Sequence, residues 1–251
     1  MRTRLYFLGT GAAVPLNRGL PCIALRHNSS VYLLDSGEGC QARLFKVGLG
    51  VVKIKAILIT HLHGDHFLGL FGMLQSMHML NRKDELVVVG PSKLKEILAK
   101  MVKESTGGLR FPIKYYEIKP HELVYEDNNV KVTAFPVDHG IEAYGFKIDV
   151  KNKTIVYTGD TRPTDTVIEY SRNADILIHE ATFDSSMARE AHEQGHSTSA
   201  DAAKTASAAN VKRLVLTHIS ARYDDTDLLF YDSYRFFRNV VVANDYMILM
   251  V

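Results

Sequence analysis

Residues 60–66, Thr-His-Leu-His-Gly-Asp-His, follow directly after the apolar run Ala56-Ile57-Leu58-Ile59. A short, continuous run of branched apolar residues is typical of a strand that is buried on both faces. The four side chains in this stretch that can bind a metal are His61, His63, Asp65 and His66. Their spacing does not fit one face of a helix, but a loop that leaves a strand can turn them toward a common point. Because imidazole and carboxylate groups together suit zinc or a similar divalent ion, the stretch predicts a metal site at the end of a buried strand.

Three further polar residues come just after apolar runs that predict strands. They are His139, Asp160 and His218. Strand ends in a sandwich can meet along one rim, where loops carry function, so we expect these residues to converge on the His-x-His loop. The resulting set of seven ligands is too large for one tetrahedral ion but suits two ions that share a carboxylate. Two ions about 3.5–4 Å apart can activate water and stabilise a leaving oxygen, as in phosphatases and nucleases.

The composition excludes several classes of protein. The 251 residues are 46% hydrophobic and 23% charged, with a net charge of +2, so no overall basic surface for nucleic acid is expected. No linker or low-complexity tract interrupts them, and we expect one domain over residues 1–251. The chain shows neither a secretory signal nor an apolar run of about 20 residues, so we expect a cytoplasmic protein without membrane contact. Cys22 and Cys40 make no disulfide framework and suit a reducing cytosol.

The order of the predicted elements indicates the fold class. Strands come first mostly as hairpins and then alternate with helices, which fits stacked sheets covered by helices. The turn at residues 9–13 lacks the ending of a phosphate-binding loop and is interpreted as structural. Ser92 is expected to cap a helix that ends at Lys103, and a solvated face is the simplest interpretation of the lysines on that helix.

The full set of polar residues resembles the metal ligands of the metallo-β-lactamase fold. The pattern is His61-x-His63-x-Asp65-His66, followed by His139, Asp160 and His218. Three further segments resemble the ribonuclease Z (tRNA 3′-endonuclease) branch of that fold. They are His179-Glu180-Ala181-Thr182, Gly195-His196-Ser197-Thr198, and the segment 217–223, Thr-His-Ile-Ser-Ala-Arg-Tyr. The metal motif is common to the superfamily, whereas the Glu-Ala-Thr and His-Ser-Thr segments are much more specific.

The resemblance covers nearly the whole chain and implies both a fold and a metal centre. The implied fold is α/β (α+β), the four-layer αββα metallo-β-lactamase sandwich. The implied cofactors are two Zn²⁺ ions, with Mn²⁺ or another divalent ion as the alternative. One ion would be held by His61, His63 and His139, and the other by Asp65, His66 and His218, with Asp160 as the bridge.

The resemblance also implies catalytic and substrate-binding residues. Asp65 would orient or deprotonate the attacking water, and His196, backed by Glu180, would give a proton to the departing 3′ oxygen. A neighbouring carboxylate favours the protonated form of a histidine, which suits this role. Arg222 would clamp a phosphate, although a structural ion pair is nearly as common for such a residue. The remaining residues assigned to the substrate are Ser197, Thr198 and Thr182.

One departure from the family concerns the segment between His139 and Asp160. Family members usually carry there a long glycine- and proline-rich arm that grips the tRNA elbow, whereas this chain has room only for a hairpin around residues 151–153. The departure leaves the chemistry unchanged but removes the family's basis for tRNA specificity.

The sequence therefore predicts a dinuclear zinc phosphodiesterase, an endoribonuclease that cleaves 3′ extensions of RNA, with precursor tRNA as the first substrate to consider. A homodimer is expected only by analogy with the family. One alternative is a hydrolase of another substrate on the same fold, such as a cyclic or simple phosphodiester, a thioester or a lactone. Another is a metal-stabilised RNA-binding subunit, which would lack a ligand or the proton donor; none is lacking here.

Overall fold

The strands form two seven-stranded sheets in a computed structural model that describes residues 3–251. The first sheet has the order β14-β1-β2-β3-β4-β5-β6. Its strands are β1 (Thr3–Gly9), β2 (Cys22–His27), β3 (Ser30–Leu34), β4 (Ile54–Leu58), β5 (Leu86–Gly90), β6 (Ile113–Glu117) and β14 (Met247–Met250). The second sheet has the order β13-β12-β11-β10-β9-β8-β7. Its strands are β7 (Leu123–Glu126), β8 (Val130–Pro136), β9 (Tyr144–Val150), β10 (Lys153–Tyr157), β11 (Ile176–Glu180), β12 (Leu214–Thr217) and β13 (Val240–Val242).

Helices cover the outer face of each sheet. They are α1 (Cys40–Lys46), α2 (Gly64–Phe67), α3 (Gly69–Met79), α4 (Leu94–Thr106), α5 (Asp165–Ser171), α6 (Ala188–Glu193), α7 (Ser199–Ala208) and α8 (Asp227–Tyr234). One apolar cluster, which includes Phe7 and Phe146, lies between the sheets. A second joins the first sheet to α1–α4, and a third joins the second sheet to α5, α7 and α8. This is the αββα sandwich that the resemblance implied, and the prediction is confirmed.

The parallel strands in one half of each sheet place functional loops at one edge. In the first sheet β3, β4, β5 and β6 are parallel, and in the second β10, β11, β12 and β13 are parallel. The carboxyl ends of β4, β10, β11 and β12 lead directly into polar segments that the sequence analysis identified. β11 and β12 are buried along their whole length and have only five and four residues, as expected for strands that are covered on both faces.

Two local predictions were wrong. Ser92 does not cap α4, which begins at Leu94 without a side-chain cap; the Ser92 hydroxyl instead donates to Glu142. Cys22 and Cys40 are joined by a disulfide, so the expectation of reduced thiols fails. The fold brings together the start of β2 and the start of α1, and both cysteines are fully buried. Spacing along the chain carried no sign of this contact.

The segment between His139 and Asp160 is the hairpin that the sequence predicted. β9 and β10 pair in antiparallel register within the second sheet, with Val150 opposite Lys153. No extended arm leaves the sandwich between these two residues. Among residues 3–251, no helix is long and apolar enough to cross a membrane.

Candidate metal centre and active site

The seven predicted ligands lie together at the edge where the two sheets meet. The loop after β4 brings four of them from the first sheet, and the loops after β8, β10 and β12 bring His139, Asp160 and His218 from the second. Three groups of side chains result, and within each group the ligand atoms lie within 4.8 Å of one another. Two of them contain the predicted ligands and are called the two metal sets: one is His61, His63, His139 and Asp160, and the other is Asp65, His66 and His218. The third group, Asp160, His196 and His218, brings His196 to the same place.

The distances between ligand atoms suit shared ions. Bonds of about 2.1 Å in a tetrahedral site place neighbouring ligand atoms about 3.4 Å apart. Oδ2 of Asp160 lies 3.3 Å from Nε2 of His66 and 3.4 Å from Nε2 of His218. The same oxygen is 3.6 Å from Nε2 of His61 and 4.0 Å from Nε2 of His139. Asp160 therefore faces both sets, as a bridging ligand must.

Unpaired polar atoms at the same place also fit a metal. His61 Nε2 and Asp160 Oδ1 are buried and have no hydrogen-bond partner among residues 3–251. A buried polar group without a partner is costly, and such groups in native proteins commonly mark an ion. The donor set of imidazoles and carboxylates suits zinc, and the residues present fit two divalent ions.

A second layer of residues orients the histidines. The Nδ1 atoms of His66 and His139 lie 2.7 Å from Asp35 Oδ2 and 2.7 Å from the carbonyl of Gly195, respectively. The Thr60 hydroxyl, which donates to Asp35, lies 2.9 Å from Nδ1 of His61. Hydrogen bonds at Nδ1 fix the ring and leave Nε2 to the metal.

Asp35 is a functional residue that the sequence reasoning missed. This fully buried carboxylate follows β3 and accepts hydrogen bonds from the Thr60 backbone, the Thr60 hydroxyl and the Tyr157 hydroxyl. It thus supports His66 directly and His61 through Thr60, one histidine from each metal set. Its position just after a buried strand was the signal that could have found it.

His196 and Glu180 form the pair that the resemblance implied. Nδ1 of His196 lies 2.8 Å from Glu180 Oε1, which leaves Nε2 as the nitrogen available to a substrate. Burial alone would lower the pKa of His196, but the Glu180 carboxylate outweighs it and raises that pKa to about 9. Burial likewise opposes ionisation of Glu180, yet the charge of His196 keeps the pKa of Glu180 below the ordinary value. The pair can therefore hold a proton at the rim of the metal centre.

A cleft of about 650 Å³ opens over the metal ligands and contains the predicted phosphate clamp. The side chain of Arg222 is 39% exposed, with Nε donating to Ser220, one guanidinium nitrogen 3.5 Å from Glu190, and the guanidinium 4.7 Å above the Phe183 ring. These contacts are compatible with either a clamp or a structural role, and the clamp stays a prediction.

The loop that follows β1, which was interpreted as a structural turn, also lies at the site. Ala12 and Ala13 line the cleft together with Val14 and Pro15. The backbone N–H of Ala13 also donates to Asp65 Oδ2 over 2.9 Å, so this loop positions a ligand.

Three residues assigned to the substrate are buried. Ser197 is fully buried and donates to the carbonyl of Thr161, and Thr198 is 1% exposed and caps α7 in a reciprocal arrangement with Asp201. Thr182, 5% exposed, contacts Glu180 and His218. Ser197 and Thr198 thus support the site from beneath, whereas Thr182 lines the cleft with its hydroxyl bonded to two residues of the site.

Comparison with known proteins places this geometry in a family. Residues 32–219 match the Beta-lactamase superfamily domain. Ribonuclease Z of Sulfurisphaera tokodaii is 38% identical, over 95% of this chain and 95% of that protein. Ribonuclease Z of Methanocaldococcus jannaschii is also 38% identical, over 88% of this chain and 87% of that protein. The crystal structure of human tRNase Z, short form, superposes with a TM-score of 0.87 at 33% identity, covering 98% of each chain.

The superfamily match shows that this is a metallo-β-lactamase-fold protein, and the structure shows its metal-binding cluster of His and Asp residues. The sequence identities to known proteins narrow the class of protein further. The chain belongs to the ribonuclease Z family. It is a metal-dependent hydrolase, as the sequence predicted. The alignment with the Sulfurisphaera tokodaii protein spans 286 positions, whereas 95% of this chain is about 238 residues, so roughly 48 positions lie opposite gaps in this chain. The chain is thus a shortened member of its family.

Proposed function

We propose that this protein is an endoribonuclease that removes 3′ extensions from precursor tRNA, with two zinc ions at the Asp160-bridged centre. The observation that carries the proposal is the position of the His196–Glu180 pair beside both metal sets in one cleft. A thioester or lactone hydrolase has no evident use for this pair, whereas the departing alkoxide of an RNA phosphodiester needs a proton.

The residues of the chain take complementary parts in the proposed reaction. Divalent ions, when bound, acidify water and neutralise charge on phosphoryl oxygens. Asp65, held by the Ala13 N–H, orients the attacking water at phosphorus. As the bond from phosphorus to the 3′ oxygen breaks, His196 gives its Nε2 proton to that oxygen, and Glu180 stabilises the charge on the ring until then. The products are an RNA with a free 3′ hydroxyl and a trailer with a 5′ phosphate.

Arg222 is proposed to bind a phosphate of the RNA near the scissile bond. Its guanidinium is held over Phe183 at the rim of the cleft, and its partner Glu190 is half exposed, so a phosphate can compete for it. We further propose a cytoplasmic location, where precursor RNA is found, for the single domain of residues 1–251.

A homodimer is proposed from apolar side chains on neighbouring helices of the first sheet. Phe45 on α1 and Met79 on α3 are 47% and 63% exposed, and a second copy could cover them. Light scattering coupled to size exclusion measures the mass directly.

Cleavage-site mapping tests the proposed function. Precursor tRNA with a 3′ extension is incubated with the zinc-loaded protein, and both products are sized. Release of the intact trailer supports an endonuclease, whereas stepwise loss of nucleotides contradicts it. The proposal would be refuted if the protein hydrolysed a thioester or a lactone but cleaved no RNA. Asp65→Ala is the control for contaminating nuclease, because it removes a metal ligand and the water-orienting group together and should abolish cleavage.

A further inference from the structure

The hydroxyl of Thr182 joins the proton-donating pair to a metal ligand. Oγ1 of Thr182 lies 2.8 Å from Glu180 Oε2 and 2.8 Å from Nδ1 of His218. Glu180 in turn contacts His196 through its other oxygen, Oε1. A continuous chain of hydrogen bonds therefore runs from His196 through Glu180 and Thr182 to His218.

The direction of these hydrogen bonds follows from the partners. Both oxygens of Glu180 already accept backbone N–H groups, Oε1 from Thr161 and Oε2 from Thr182 itself, so the carboxylate is an acceptor on both sides. Thr182 has one hydroxyl proton and must donate it to Glu180. Oγ1 of Thr182 must then accept the hydrogen bond that joins it to His218, and the donor is the Nδ1–H of His218.

The orientation of the His218 ring depends on this arrangement. With the proton fixed on Nδ1, the lone pair of His218 lies on Nε2, which is 3.4 Å from Asp65 Oδ2 and 3.4 Å from Asp160 Oδ2. Either ring nitrogen of a histidine can bind zinc, and the hydrogen bond at the other nitrogen decides which one does.

We propose that Thr182 is a positioning residue that sets two groups at once: it presents Nε2 of His218 to the metal and holds Glu180 toward His196. The assignment replaces substrate contact as the role of this residue. A substrate-contacting hydroxyl would need a free hydrogen-bonding direction toward the cleft, whereas this one is 5% exposed and has both strong directions occupied. The inference deepens the proposed function, and its metal readout does not depend on RNA cleavage.

The test compares Thr182→Val, which keeps the shape but removes the hydroxyl, with Thr182→Ser, which keeps the hydroxyl. Thr205→Val is the matched control, because Thr205 is another buried threonine, 4% exposed, on the interior of α7. Zinc affinity is measured by competition with a chelator, and kcat/KM is measured on 3′-extended RNA and on a nitrophenyl phosphodiester. Partners of metal ligands typically contribute 10- to 100-fold to affinity or activity, so Thr182→Val should lose about that much in zinc affinity and on both substrates. Thr182→Ser and Thr205→Val should stay within about threefold of the parent, since neither removes a hydrogen bond at the site.

Three outcomes would overturn the inference. Thr182→Val with unchanged zinc affinity and activity would show that the hydroxyl is not needed. A loss on RNA alone, with zinc affinity unchanged, would contradict the proposed support of His218, and a larger loss in Thr182→Ser than in Thr182→Val would show that the methyl group and not the hydroxyl matters. If the valine variant does not fold, nitrogen NMR of the zinc-loaded parent decides: a protected Nδ1–H on His218 supports the inference, and zinc on Nδ1 with the proton on Nε2 contradicts it. Absence of RNA cleavage by the parent, with normal zinc binding, would count against the proposed function only.

Discussion

Removal of His196 should separate proton donation from the rest of the chemistry. His196→Ala leaves every metal ligand in place, so zinc binding should persist. A general acid typically contributes about 10²–10⁴-fold, and we expect this loss in kcat/KM on 3′-extended RNA. A nitrophenolate leaving group, whose conjugate acid has a pKa of about 7, needs no proton at neutral pH and should be affected less than about tenfold.

The structure also indicates how strongly the site favours the protonated form of His196. The pKa of His196 is raised from 6.5 to about 9, and each unit corresponds to about 1.36 kcal/mol. The site therefore favours the protonated form of His196 by about 3.4 kcal/mol, or roughly 300-fold, relative to a histidine with the ordinary pKa. Bound divalent cations would reduce this preference, because like charges repel. Glu180→Gln removes the charge that outweighs burial, so the pKa of His196 should fall below 6.5. The rate on RNA should then decline at a lower pH than in the parent; a return of the pKa to 6.5 would cost about fourfold at pH 7, and the loss would approach about 300-fold only above pH 9.

The assay is kcat/KM for both substrates from pH 5 to 9 in zinc-loaded protein. His192→Ala is the matched control, because His192 forms a similar pair with Asp201, 2.9 Å apart, but does not line the cleft. It should leave both rates unchanged. Equal losses on RNA and on the nitrophenyl substrate in His196→Ala would refute the assignment of His196 as the proton donor.

Four further predictions follow from the same structure. Metal analysis of protein purified without chelator should find about two equivalents of zinc or a substitute per chain, and at most one equivalent after metal is added back would contradict the dinuclear centre. Asp35→Asn should weaken metal binding at both sets by about 10- to 100-fold, because Asp35 supports His66 directly and His61 through Thr60; chelator competition that detects no change would count against this support. Replacement of both cysteines by serine should lower the free energy of unfolding by about 3 kcal/mol, given a sequence separation of 18, and thiol titration in denaturant should find no free thiol unless a reductant is added. The ratio of kcat/KM for precursor tRNA to kcat/KM for a minihelix with the same acceptor stem should stay below about a hundredfold, or about 2.7 kcal/mol, and binding should depend only weakly on salt. A larger ratio would mean that another surface binds the tRNA elbow, and charge reversal of the lysines of α4 would then be the first test.

The ligands could be predicted from sequence because each obeys one local rule. A short buried strand has no room for polar residues, so the first polar side chains after it mark the rim where strands end. This rule located His61, Asp160 and His218 in separate parts of the chain, and it applies equally to Asp35, which follows the buried strand β3. Asp35 belongs to none of the metal motifs, so the rule was not applied to it.

Other features depend on contacts that no local pattern encodes. The Cys22–Cys40 disulfide forms because β2 and α1 start side by side, which is a property of the assembled first sheet. Ser197, Thr198 and Thr182 were assigned to the substrate from the resemblance, but their hydroxyls are buried and bonded within the protein. Ser197 and Thr182 bond to residues far away along the chain, so no local pattern could show these contacts, and of the three only Thr182 lines the cleft.

The origin of the ligands on both sheets has a consequence for folding. Each half of the sandwich carries an incomplete coordination sphere, and the sphere closes only when the halves dock. Whatever ion binds there adds to the stability of the docked state by an amount that grows with the logarithm of its free concentration. A bound ion would thus hold the two sheets together at this rim as well as take part in the reaction.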